Sequence, residues 1–252
     1  MDRADKVLCE RPWGRKRGAL AKHASAKSGS ALCGSVRVDP PCMALLGKGT
    51  GSATFGRRCI NMGTNTGPET ELTLACGDLR LNVSPYGASI RGLFHLTRGE
   101  SREIITGYSG AKHKVGGQGD VLMPFPGRVR EGRYAFEGRE HQMVKNDKET
   151  PSAIHGFLRT VLWEQRALSE NSVTFVTAFD EQAHAGYPFA LRAQVTYTLE
   201  SSGLRCAFQL RNSGKGDAPA GAGFHPYFTL GDGLIDQYVL QVPFRSIQEY
   251  EH

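Results

Sequence analysis

The sequence lacks several features that would place the protein in a particular class. No run of about 18 apolar residues occurs in the chain, which argues against a membrane-spanning helix. None of the six cysteines forms a Cys-x-x-Cys pair, so the ligand spacing of a structural zinc site is missing. We therefore expect free thiols in a reducing, cytoplasmic compartment and neither a bound metal nor a membrane partner.

Basic residues are concentrated at the front of the chain. The 252 residues include 31 Lys and Arg against 25 Asp and Glu, a formal charge of +6. Residues 1–68 hold 12 basic and 4 acidic side chains, whereas the remainder holds 19 and 21. A domain that reads nucleic acid should itself be basic. The sequence after residue 68 is therefore not expected to bind nucleic acid.

The same segment differs from the rest of the chain in composition. Residues 1–68 are rich in Gly, Ser, Ala and Arg and show no sustained apolar periodicity. Such a segment buries too little apolar surface to offset the entropy lost on ordering. We predict that residues 1–68 are disordered and that residues 69–252 form the folded domain. In an alternative interpretation, the basic segment tethers the protein to an anionic surface.

From Thr70 onward, apolar residues alternate with polar ones, which is typical of β-strands. The clearest run extends from Ala190 to Glu200, and a Ser-Ser-Gly turn leads into a second alternating run. Shorter runs occur at residues 72–74, 79–83, 134–144, 173–175 and 238–244. No window carries the apolar spacing of an amphipathic helix. Many short strands separated by Gly, Ser and Asp turns predict an all-β fold of antiparallel sheets.

Three segments combine functional side chains with turn-forming residues and aromatics, and we expect them to be loops. Arg128 ends a Pro-Gly bend, where its guanidinium suits several hydroxyls or a carboxylate, although a surface arginine is the simpler interpretation. His155 lies between apolar residues and is more often a core histidine than a catalyst in such a setting. His225 is flanked by aromatics, an arrangement suited to stacking on a sugar while the imidazole exchanges a proton.

Four motifs connect these segments, in the order PFPGRVREGRYAFEGREHQ, ND…AIHGFLR, GYPF and GFHPYF, spread over residues 120–228. Together they resemble the aldose 1-epimerases (galactose mutarotase-like proteins), and the similarity extends from about residue 69 to the end. The resemblance implies a large antiparallel β-sandwich that binds a hexose in a groove and needs no organic cofactor or metal.

The resemblance also implies an activity and residue roles. Aldose 1-epimerases interconvert the α and β anomers of free aldoses by acid–base ring opening and reclosure. By motif, His225 would be the general acid at the ring oxygen. The substrate-binding residues would be His155, Arg128 and Tyr227. Gly127 stands where the family usually has asparagine, so one amide contact to the sugar is absent.

The general base implied by the resemblance is a glutamate near the C-terminus of a longer chain. This sequence ends at His252, and neither Glu249 nor Glu251 is assigned as the base. We therefore expect the sandwich to be incomplete at its C-terminus. Two functions stay open: an aldose 1-epimerase acting on a free hexose, and a carbohydrate-binding remnant that lacks the base. Both predict a small sugar as partner and leave the oligomeric state open.

Overall fold

The computed structural model describes residues 71–98, 100–110 and 113–229, the single positions 231, 236 and 239, and the backbone of three earlier strands. Residues 23–231 form one compact unit. The strands are β1 (Ala24–Ala26), β2 (Ala31–Val38), β3 (Cys59–Asn61), β4 (Leu72–Cys76), β5 (Leu79–Ser84), β6 (Ser89–Thr97), β7 (Glu100–Ile105), β8 (Asp120–Leu122), β9 (Arg128–Arg130), β10 (Arg133–Phe136), β11 (Arg139–Gln142), β12 (Ser152–Ile154), β13 (Glu164–Leu168), β14 (Ser172–Phe179), β15 (Leu191–Glu200), β16 (Gly203–Asn212), β17 (Ala218–Ala220) and β18 (Gly223–His225). A 3₁₀ helix spans Leu158–Thr160.

Two five-stranded antiparallel sheets form the body of the unit. One has the order β3-β4-β5-β6-β7 and the other the order β13-β14-β15-β16-β2. Buried side chains from both sheets belong to a single hydrophobic core. The prediction of an all-β, antiparallel architecture is therefore confirmed. Within the described residues, no helix has the length and hydropathy needed to cross a membrane.

The alternating runs form the strands that the sequence predicts for them. In β15 every second side chain, from Leu191 to Leu199, is buried at 1% exposure or less, while the residues between them face outward. This strand pairs with β16 along its whole length and with β14 over eight residues. The predicted hairpin around Glu137-Gly138 is also present, as β10 paired with β11.

Tyr197 ties one large sheet to the other. Its ring is fully buried on β15, and its hydroxyl donates a hydrogen bond to the carbonyl of Ala88, in the turn that precedes β6. Burial raises the pKa of this phenol well above its usual value. The hydroxyl therefore stays protonated and keeps its role as a donor between the two layers.

Short two-stranded ladders lie beside the large sheets and carry the candidate functional residues. Strand β8 pairs with β18, and β9 pairs with β12. Each ladder is only three residue pairs long. Because both are antiparallel and begin or end at a motif residue, they fix which motif residues become neighbours in space.

The structure places three strands inside residues 1–68, where the sequence predicts disorder. β2 pairs with β16 over eight residues, and β1 and β3 pair with β17 and β4. The prediction is wrong for these strands, because edge strands offer backbone groups that a weakly apolar segment can satisfy. The rest of residues 1–68 and, apart from position 239, the predicted strand at 238–244 lie outside the described part. The domain boundary near residue 69 therefore stays a prediction.

The expectation that the cysteines are free thiols is wrong for one position. Cys76, at the end of β4, is disulfide-bonded. Cys206 is free and buried on β16, where desolvation raises the pKa of its thiol to about 12. Linear spacing could not reveal the disulfide, because a disulfide depends on the distance between the two Cα atoms in the folded chain.

Candidate functional site

The structure brings His155 and His225 together from segments 70 residues apart. The centroids of their rings are 5.2 Å apart, and the ring planes meet nearly edge to face, at 79°. His155 directly follows β12, and His225 is the last residue of β18. Two imidazoles at this separation can contact the same small molecule.

Arg128 and His155 are held together by the ladder between β9 and β12. Arg128 lies opposite Ile154 in the register. One step beyond, the N–H of His155 donates to the carbonyl of Gly127 at 3.0 Å. The N–H of Gly127 in turn donates to Nδ1 of His155 at 3.1 Å. Both residues adopt a positive φ, 63° at His155 and 75° at Gly127, so this is a reciprocal clamp and not a continued strand.

The clamp determines the protonation state of His155. Because Nδ1 accepts a hydrogen bond, the proton of the neutral ring lies on Nε2. Burial, together with the nearby charges of His225, Arg159 and Arg128, lowers the pKa of His155 to about 4. At neutral pH the ring is therefore uncharged, with an Nε2–H that can donate to a ligand oxygen.

Asn146 is a site residue for which the sequence alone gives no role. Its side-chain oxygen accepts from the N–H of Ile154 at 2.7 Å, and its amide donates to the Ile154 carbonyl at 3.3 Å. These bonds copy a strand pairing and fix the backbone directly before His155. The ND pair in the second motif is the signal that marks it, although the sequence could not say which backbone it would contact.

Arg128 is oriented by two carboxylates. Its Nε donates to Asp147 at 2.7 Å and its Nη2 to Glu149 at 3.0 Å. The guanidinium and the Thr150 hydroxyl hold the pKa of Asp147 well below its usual range. The Arg128 side chain is 46% exposed. It therefore has donors available to solvent or to a ligand beside His155.

His225 lies in a strand and not in the loop expected from its sequence. β18 pairs with β8, and His225 lies opposite Asp120. The strand is too short, at three residues, to produce a visible alternation. Two residues later the ring of Tyr227 lies 5.4 Å from that of His225, tilted by 44°. Tyr227 is 37% exposed, so an aromatic surface borders the histidine pair.

The first motif connects the second motif to the segment that carries the fourth. The carbonyl of Met123 accepts hydrogen bonds from the N–H groups of Phe157 and Leu158, and the carbonyl of Pro124 accepts from Gly221 at 2.6 Å. The chain at 123–124 thus joins the segment after His155 to the segment before His225. All four residues of the predicted site, His225, His155, Arg128 and Tyr227, belong to segments that this junction or the adjoining ladders bring together.

The GYPF motif has a supporting role. Tyr187 is buried, and its hydroxyl donates to the carbonyl of Pro219. Its ring packs against Phe157, two residues after His155, at 5.4 Å between centroids. His184 stacks on the same Phe157 ring at 4.1 Å. Tyr187 of this motif and the nearby His184 thus support the His155 segment by packing against Phe157.

Asp120 is the carboxylate nearest to the pair in the strand register, but its oxygens are already engaged. It is fully buried and ion-paired with Lys114 and with Arg159, the latter at 3.1 Å. Burial raises the pKa of Asp120 and lowers that of Lys114. Glu249 and Glu251 lie outside the described residues. Within the described part, no group of three or more His, Cys, Asp or Glu side chains is arranged to hold a metal ion.

Comparisons with known proteins identify relatives of the chain. The chain is 34% identical to the uncharacterized protein YihR of Escherichia coli K12 over 177 residues, 70% of this chain and 56% of YihR. It is 29% identical to the galactose mutarotase of Pongo abelii, covering 67% of this chain and 50% of that protein. The chain thus spans about half the length of these relatives.

A solved structure and a family model complete the comparison. A galactose mutarotase-like protein from Lactobacillus casei aligns with a TM-score of 0.52 at 22% identity, over 64% of this chain and 51% of that one. This likeness establishes a common fold. A sequence model of the aldose 1-epimerases matches residues 70–252, which include every candidate site residue. The chain belongs to the aldose 1-epimerase family.

Proposed function

We propose that the protein is an aldose 1-epimerase that interconverts the α and β anomers of a free hexose, with His225 as the general acid. The observation that carries the proposal is the pair of imidazoles, with ring centroids 5.2 Å apart, in a chain of this family. The galactose mutarotases among its relatives support a sugar as the substrate.

The reaction needs two proton transfers at opposite sides of the sugar. His225 donates a proton to the ring oxygen as the bond from that oxygen to C1 breaks. The C1 hydroxyl loses its proton to a base, and C1 becomes an aldehyde. Rotation about the C1–C2 bond and reversal of both transfers give the other anomer. An imidazole suits this exchange because it gains and loses protons near neutral pH.

The other site residues bind and orient the sugar. The neutral His155 offers its Nε2–H to the ring oxygen or an adjacent hydroxyl, since Nδ1 is engaged by Gly127. Arg128, oriented by Asp147 and Glu149, offers its remaining N–H groups to hydroxyls farther round the ring. The partly exposed ring of Tyr227 borders the apolar face of the sugar.

Carbohydrate binding without catalysis is the second candidate function. It is favoured by the engagement of Asp120 with Lys114 and Arg159, which leaves this carboxylate unsuited to removing the proton of the C1 hydroxyl. A missing general base costs roughly 10²–10⁴-fold in rate. Such a protein would bind a hexose through Arg128 and His155 without accelerating its mutarotation.

Polarimetry of freshly dissolved α-D-glucose and α-D-galactose tests the proposal. The wild-type protein and a His95→Ala control should accelerate the decay of optical rotation, because His95 lies on β6 and contacts Thr97 instead of the site. His225→Ala should lower the catalysed rate by roughly 10²–10⁴-fold. An unchanged rate in His225→Ala would contradict the proposed role. Hexose binding by a folded wild-type protein that gives no acceleration would establish the second candidate instead.

A further inference from the structure

Residues 114–120, which lead into β8, form a tight turn, and Gly117 in this turn lies directly against the His225 ring. A Cβ atom added at Gly117 would lie 3.0 Å from Cδ2 and 3.2 Å from both Cγ and Nε2 of His225. Gly117 does not have a positive φ. Its backbone conformation does not require glycine, and an added side chain would press on the imidazole beside it, which would have to shift by a few tenths of an ångström.

This turn is fixed to its surroundings by hydrogen bonds. The N–H of Gln118 donates to the carbonyl of Val115 at 3.1 Å, and the N–H of Asp120 donates to that of Gly117 at 3.0 Å. The buried side chain of Gln118 donates to the carbonyl of Thr106 at 2.9 Å. The turn therefore has little freedom to move away from the ring.

The turn also bonds directly to the backbone of His225. The N–H of Gly119 donates to the carbonyl of His225 at 3.0 Å. At Gly119 an added Cβ would lie 1.9 Å from the carbonyl of Ile90. The turn thus binds the main chain of His225 through Gly119 and contacts its ring at Gly117.

An ion pair joins the two ends of the turn, and a second one links it to another segment. Lys114 at its start is bonded to Asp120 at its end, and Asp120 also binds Arg159. Arg159 belongs to the 3₁₀ helix that follows His155. The fully buried Asp120 carboxylate thereby connects the turn to the segment that carries the second histidine.

We propose that Gly117 is a positioning residue for the His225 imidazole, and that the turn at residues 114–120 sets the distance of that ring from His155. The inference rests on the proposed function, in which His225 is the general acid. His155 and Tyr227 also border the ring. A side chain at position 117 would displace the ring from the atom that it protonates.

Gly117→Ala tests this inference, with Gly216→Ala as a matched control. Gly216 also lacks a positive φ, and an added Cβ there meets no atom within 4 Å. With histidine-selective ¹³C labelling, the His225 Cδ2–Hδ2 NMR signal, identified by its loss in His225→Ala, should shift in Gly117→Ala and stay in place in Gly216→Ala. The catalytic constant, kcat, should fall about 10- to 100-fold in Gly117→Ala with a smaller change in KM.

The two readouts separate failure of the inference from failure of the proposed function. An unmoved His225 signal in Gly117→Ala would overturn the inference whatever the activity, as would a moved signal with an unchanged kcat. If the wild type does not accelerate mutarotation, the proposed function fails and the NMR signal alone decides the positioning claim. If Gly117→Ala fails to fold, Gln118→Ala is the second variant. It removes the side-chain hydrogen bond from the turn to Thr106 and adds no atom beside the His225 ring. It should broaden or shift the same signal, and an unperturbed signal would count against the inference.

Discussion

His155 illustrates how one backbone bond can set the chemistry of a side chain. The Gly127 N–H fixes the tautomer, and burial holds the ring neutral by lowering its pKa to about 4. A neutral donor suits the binding of a hydroxyl or ring oxygen, while the proposed function assigns proton transfer to His225. In that proposal the two imidazoles have different tasks because their surroundings differ.

The lowered pKa predicts how stability depends on pH. An unfolded histidine titrates near 6.5, so between pH 6.5 and about 4 the unfolded chain binds more protons than the folded one. The contribution of His155 to stability is thus complete above about pH 6.5 and is lost as the pH falls toward 4. His155→Asn removes this titration and keeps a residue that tolerates the positive φ.

Denaturant unfolding at pH 7, 5.5 and 4.5 measures this effect. The free energy of unfolding of the wild type should fall more steeply with acidification than that of His155→Asn. Parallel curves for the two proteins would show that His155 is not held neutral in the folded state.

At the scale of elements, the site depends on short ladders and turns that pack closely on one another. Gly156 follows His155 with a φ of 67°, and a Cβ there would lie 2.0 Å from the Met123 carbonyl. The Met123 carbonyl accepts the hydrogen bonds of the two residues that start the next turn. The His155 segment can therefore approach the first motif only through a glycine.

Gly156→Ala should lower the free energy of unfolding by more than about 2 kcal/mol, because backbone strain and a main-chain overlap add. Gly138→Ala is the matched control, since Gly138 has a φ of 75° and open space around its Cβ position. Strain alone should cost it about 1 kcal/mol. Thermal or denaturant melts measure both, and equal losses would refute the close approach at Gly156.

Elements with one buried face could be predicted from the sequence, and the others could not. β15 and β16 alternate over ten residues because only one of their faces meets the core. β6 is buried on both faces along its first five residues, and all five residues of β13 are exposed, so neither gives a period of two. The three-residue strands beside the site are too short for any period.

The candidate site also contains residues that the sequence could predict and residues that it could not. Its four residues could be proposed from motifs, because functional side chains there stand next to turn formers and aromatics. Gly117 and Asp120 could not, because each acts on a segment distant in sequence. Their partners become known only when the ladders bring those segments together. Asn146 is marked by its motif, but its contact with the backbone of Ile154 could not be predicted.

At the scale of the whole molecule, the fold brings His155 and His225 side by side in one site. They come from ladders on different segments, and the Met123–Pro124 junction and the Asp120 ion pairs connect those segments. Groups that act on one transition state show non-additive losses when both are removed. Residues that contribute independently would show losses that add.

The most direct test is therefore a double-mutant cycle on the catalysed rate of hexose mutarotation. The four proteins are the wild type, His155→Asn, His225→Ala and the double variant, each first shown to fold by circular dichroism. We predict that each single change lowers kcat/KM and that the double variant is hardly slower than the slower single variant. Wild-type rates in both single variants, or losses that add fully in the double variant, would contradict the joint action of His155 and His225 on one transition state.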